Sequence, residues 1–131
     1  MILSLLPSLL FIACADVEDS RLERVDEAVT SAGLYKLSLS PDPDPPTAGP
    51  AGLWIVVTDA DEQPIEGADI TLDPWMPEHG HGASQAPVVS DLGGGDYFAE
   101  WTYSMPGYWE ITLDVTGPEG ADDVVLAYDV L

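Results

Sequence analysis

From Tyr35 to the C-terminus this chain keeps returning to a two-residue hydrophobic period, and that period constrains its fold more than any other feature. Tyr35, Leu37 and Leu39 alternate with Lys36, Ser38 and Ser40. Successive side chains of an extended strand point to opposite faces, so such a run buries one face and wets the other. The pattern recurs with Ala68, Ile70 and Leu72, and again with Tyr97, Ala99, Trp101 and Tyr103. It returns with Trp109, Ile111, Leu113 and Val115, and finally with Val124, Leu126, Tyr128 and Val130. Residues 53–59, LWIVVTD, are dense in β-branched and aromatic types and predict a central strand. Residues 87–90 supply a weaker seventh. Turn signals separate the runs: Asp59 to Pro64, Asp91 to Asp96, Ser104 to Gly107, and Gly117 to Gly120. Short strands at this spacing predict an all-β fold, an antiparallel immunoglobulin-like β-sandwich of about seven strands.

Two stretches break the period. Residues 40–52 contain five prolines, which oppose both helix and central strand, and are expected to form a long edge connection. Residues 74–87, PWMPEHGHGASQAP, have no period and are expected to be a loop.

The first 32 residues differ in character from this body. Residues 1–13, MILSLLPSLLFIA, are uncharged and too short for a membrane-spanning helix, but they suit the apolar region of an export signal. Cys14 follows Phe11-Ile12-Ala13, which resembles a bacterial lipobox, so residues 1–13 are expected to be cleaved and Cys14 lipidated. The protein is then extracytoplasmic and membrane-anchored through lipid alone; plain secretion is the alternative. Residues 14–32 form an acidic tether in which Leu22, Val25 and Val29 fit a short helix. Residues 33–131 are the folded domain. Cys14 is the only cysteine, so no intramolecular disulfide is expected and packing must hold the fold.

Charge narrows the partners. The net charge is -21, and of the 24 acidic residues six precede Lys36 and 18 follow it, with no Lys or Arg after that point. A polyanion repels phosphate backbones, which excludes nucleic acid as a partner.

The chemistry-bearing residues concentrate in the aperiodic stretch. Met76-Pro77-Glu78-His79-Gly80-His81-Gly82 holds both histidines of the chain and one of its three methionines; Met105 also precedes a proline. Thioether and imidazole together suit Cu(I) and, less well, Zn(II). A glycine between two histidines lets the backbone turn so that both rings converge on one ion, and Met76 lies three residues before His79. Met105 joins only if the Ser104–Gly107 turn sits at the same end of the sandwich. The competing reading makes HGHG a polar surface loop and the two methionines adaptable plugs of the core end. A hydrolytic zinc set of His79, His81 and Glu78 or Asp73 is a remote third. No nucleophile elbow or paired-carboxylate signature emerges, and no enzyme activity is expected.

These residues in this order resemble the YtkA-like family, related to the FixH proteins. The resemblance runs from Gly33 to about Val115. It rests on Gly33 and Tyr35, Pro45-Pro46 and Gly49, Trp54 through Asp59, Pro64 and Gly67-Ala68. It continues with the Trp75–Gly82 loop, Gly95-Asp96-Tyr97, Met105-Pro106-Gly107 and Trp109-Glu110. The family implies a small extracytoplasmic β-sandwich associated with copper handling. It implies copper, most simply Cu(I), held by Met76, His79, His81 and Met105. It also implies a copper-donating or copper-accepting protein as partner.

Overall fold

The computed structural model describes residues 26–131. The expected signal segment, Cys14 and most of the acidic tether lie outside the described residues. Within them the chain forms nine strands: β1 (Asp26–Val29), β2 (Tyr35–Asp42), β3 (Gly49–Asp59), β4 (Asp69–Met76), β5 (His81–Gly82), β6 (Val88–Gly93), β7 (Asp96–Tyr103), β8 (Gly107–Gly117) and β9 (Gly120–Val130). They make two antiparallel sheets, one ordered β1-β2-β3-β7-β6 and the other β5-β4-β8-β9. Most inward positions of both sheets are buried as the alternation predicts, from Tyr35, Leu37 and Leu39 on one side to Ile111, Leu113 and Val115 on the other, while Ala68, just before β4, and Val124 are only partly buried. Each such aliphatic side chain removed from water contributes about 1.5–3 kcal/mol, and together they stand in for the missing disulfide. The result is the predicted β-sandwich, with two strands more than the seven expected.

The additional strands correct two readings. Residues 26–29 pair with Leu39 to Lys36 of β2 and so form an edge strand where a helical tether was expected. Val29, the residue that completed the helical spacing, is exposed, while Ala28 packs on the core. A ready sheet edge outweighs a helix of one or two turns, whose nucleation is unfavourable in isolation. The other addition is β5, which pairs Met76 with His81 and Trp75 with Gly82, inside the segment expected to be an irregular loop.

The proline-rich connection is also shorter than expected. β2 continues through Pro41 and β3 begins before Pro50, leaving residues 43–48 between them. Among the described residues, β1 pairs with β2 only up to Leu39, and β2 pairs with β3 only from Gly52 onward. Pro41 and Pro50 therefore lie where their strands have a neighbour on one side alone. Pro74 is in the same position on β4, one residue short of the β5 pairing. A strand tolerates proline at such an edge because no ladder donor is lost there.

One end of the sandwich is tied by side-chain to main-chain bonds. The Tyr35 hydroxyl donates to the Gly120 carbonyl in the opposite sheet at 2.7 Å. The Tyr97 hydroxyl donates to the Ile65 carbonyl at 2.7 Å and accepts from the Ala68 amide at 3.0 Å. The Asp122 carboxylate accepts from the amides of Ala32, Leu34 and Asp123. The Thr30 hydroxyl, which also meets the Tyr35 carbonyl, and then the amides hold this carboxyl below the usual carboxylate range.

Candidate metal centre

The opposite end carries the Met and His residues. β4 keeps strict alternation to its last residue, so Met76 points inward and is 1% exposed. The chain then reverses within residues 77–80. The amides of His79 and Gly80 both donate to the Met76 carbonyl, at 3.2 and 2.8 Å, and Gly80 takes φ of 66°, a conformation that costs glycine little. The short return strand β5 sets His81 directly across from Met76. Residues directly opposite in an antiparallel pair share a face, so the imidazole and the thioether lie on the same side of the sheet.

His79 and His81 lie with ring centres 5.9 Å apart, tilted by 45°. His79 is exposed and His81 half-buried. Nδ1 of His81 lies 3.2 Å from the Gly82 carbonyl. A carbonyl can only accept, so in the neutral ring Nδ1 carries the proton and Nε2 keeps its lone pair. An aromatic wall backs this ring. His81 meets Trp109 edge-on at 6.0 Å, Trp109 meets Tyr103 at 5.1 Å, and Tyr103 meets Trp101 at 5.4 Å. Burial, with Tyr128 nearby, pushes the Tyr103 phenol far above its usual value, so that it stays neutral.

The turn carrying Met105 lies at this same end. The Trp109 indole N–H donates to the Met105 carbonyl at 3.1 Å, so one residue touches both His81 and the turn. Gly107 closes the gap further: a Cβ there would lie 2.8 Å from the Met76 methyl carbon. Met105 itself is partly buried against the core. The four residues expected to act together, Met76, His79, His81 and Met105, thus come from one end of the sandwich. Trp109 and Gly107 complete the arrangement. Sequence reading placed Trp109 in the core and Gly107 in a turn, and no spacing signal connects either residue to a histidine loop some 30 positions earlier.

Among the described residues no three of His, Cys, Asp and Glu cluster closely enough to hold a metal ion. Glu78 and Asp73 therefore do not form a cluster with His79 and His81 as a zinc-hydrolase set would require.

No curated protein matches this chain at a significant level. Among solved structures, a DUF4426 family protein from Pseudomonas aeruginosa PAO1 superposes with a TM-score of 0.58 at 15% identity, covering 80% of this chain and 94% of that one. At such low identity the likeness is one of fold. A family model described as YtkA-like matches residues 27–114, from the edge strand β1 nearly to the end of β8 and across both candidate loops. By that match, over well beyond half its length, the chain belongs to the YtkA-like family.

Proposed function

We propose that this protein is an extracytoplasmic copper-binding protein, a carrier or buffer that takes Cu(I) as cargo at Met76, His79 and His81, with Met105 on the adjoining turn. The observation that carries this reading is the cross-strand pairing of Met76 with His81, with His79 one turn away. A metal–nitrogen bond of about 2.0 Å puts an ion about 3 Å from the centre of a ligating ring, so two rings on one ion lie about 5–6 Å apart. The 5.9 Å between the His79 and His81 rings is consistent with that geometry. Imidazole and thioether without a carboxylate favour a soft ion. Reversible loading suits a site with one exposed and one half-buried histidine. A lipid anchor at Cys14 places the carrier on a membrane surface, facing a copper-donating or copper-accepting protein.

One observation favours a second reading, a non-catalytic structural or interaction domain. Met76 is as deeply buried as the core leucines, which is where an apolar plug would sit. Competition titration against a calibrated Cu(I) chelator separates the two readings. Wild type is expected to bind one Cu(I), more weakly at pH 5 than at pH 7, because protons compete for imidazole but not for thioether. Met76→Leu and Met105→Leu are expected to weaken Cu(I) and spare Cu(II), since Leu keeps the volume and removes the sulfur. Unchanged Cu(I) affinity in the double variant His79→Ala/His81→Ala removes the site and leaves the structural reading.

A further inference from the structure

The outward face of the five-stranded sheet carries a feature that the metal end does not use. The register places Trp54 opposite Phe98, with ring centres 4.3 Å apart. Val56 follows two residues along β3, and Val88 lies opposite Glu100 on β6, two residues from Phe98. These positions put apolar side chains on the outward face of three strands, with Glu100 standing directly opposite Val88, and Trp54 is 45%, Val56 38% and Val88 63% exposed. Scattered apolar residues are ordinary on a surface, but a contiguous exposed group bordered by polar residues marks a contact site. The border here is mainly acidic; its one cation among the described residues, Lys36 opposite Thr58, lies 3.8 Å from the Glu62 carboxylate. Val56 pairs with Asp96, and the position beside Gly52 is flanked by Glu100 on one strand and Asp42 on the other. Beyond Val88 and Glu100 the surface opens into a hollow of about 530 Å³, shared with Ser84 and Thr102.

We propose that this face docks a cationic protein segment bearing apolar side chains. Charge decides among occupants. A second copy would bring another net charge of -21 and set Asp96, Glu100 and Asp42 against acidic partners. An anionic lipid surface is repelled in the same way. A small cation would leave these apolar side chains wet. A segment with Lys or Arg beside Leu or aromatic residues covers Trp54 and Phe98 and answers the acids around them, and the acids raise its association rate. The face lies on the sheet that does not contain the histidine strand, so docking and metal loading can coexist.

The test titrates the full chain with two eight-residue peptides, one alternating Lys with Leu and one alternating Glu with Leu, and follows backbone amide shifts by NMR. The expected result is that the Lys-Leu peptide alone binds, that its shifts centre on β3 and β7 near Trp54 and Phe98, and that binding weakens as salt screens the acids. Trp54→Thr, an exposed strand position that keeps a β-branched residue, is expected to weaken binding at least fivefold, and Glu100→Gln to reduce its salt dependence. Three outcomes overturn the proposal. One is shifts spread over the whole acidic surface and unaffected by Trp54→Thr. Another is equal binding of the Glu-Leu peptide. The last is sedimentation showing a dimer through this face.

Discussion

Where β8 turns into β9, the hydroxyls of Tyr35 and Tyr97 and the carboxylate of Asp122 all meet main-chain groups. Where β4 turns into β5, the main chain bonds to itself through the Met76 carbonyl, and side chains are not needed to hold the turn. His81 uses only Nδ1, and among the described residues neither its Nε2 nor the Met76 sulfur takes a hydrogen bond. Both ends contain large aromatic residues at full burial, Tyr35 and Tyr97 at one and Trp109 at the other. The difference lies in whether the polar atoms are consumed by the fold. At the first end the fold uses the side-chain donors and acceptors, whereas the end closed by glycine and main-chain bonds leaves the His81 Nε2 and Met76 sulfur lone pairs unused by it.

The largest expected effect is one that breaks both ends together. Trp109 is 0% exposed, and truncating a buried Trp to Ala costs about 3–5 kcal/mol. Urea unfolding of Trp109→Ala is expected to show a loss of that size. A midpoint equal to wild type would remove Trp109 from the core and detach the His81 contact from the fold.

A matched pair sharpens the contrast. Tyr35→Phe takes away the donor to the solvent-accessible Gly120 carbonyl and is expected to cost about 0.5–1.5 kcal/mol, the net worth of one hydrogen bond. Met76→Leu keeps apolar volume and is expected to cost less than about 1.5 kcal/mol while weakening Cu(I). If Met76→Leu proved the more destabilising of the two and left copper untouched, the assignment of roles to the two ends would be reversed.

The smallest effect is read through pH. Asp122 has a lowered native pKa, so its contribution is fully present above the ordinary carboxylate value of about 3.9 and is lost as pH falls through the lowered native value. Asp122→Asn is therefore expected to melt below wild type at neutral pH. The gap should close as acid protonates the wild-type carboxyl. A gap that stays constant from neutral pH to about pH 2, below the ordinary carboxylate range, would mean that charge plays no part in holding the 30–34 turn.

The central strands were legible because alternation reports burial directly: every inward residue expected from Trp109 to Val115 is buried. The short strands were not. β5 is two residues long and contains no β-branched residue, so it exists only because β4 offers an edge and Gly80 turns the chain back to it. Pro74 hid the end of β4 for a related reason, since its tolerance depends on which side of the strand is paired, a tertiary fact. Of the candidate site, the ligand types and their concentration in seven positions were visible in the sequence. The Ser104–Gly107 turn could be named only conditionally, because the nearness of Gly107 to Met76 exists only after the sheet has formed.

Pro41, Pro50 and Pro74 do more than survive at sheet edges. A foreign strand can extend a sheet only where the edge offers amide donors in register, and each of these residues has none to give. The prolines thus blunt the local edges of β2, β3 and β4, while along the proline-free edge strands β1, β6 and β9 it is the acidic surface that opposes the approach of another copy.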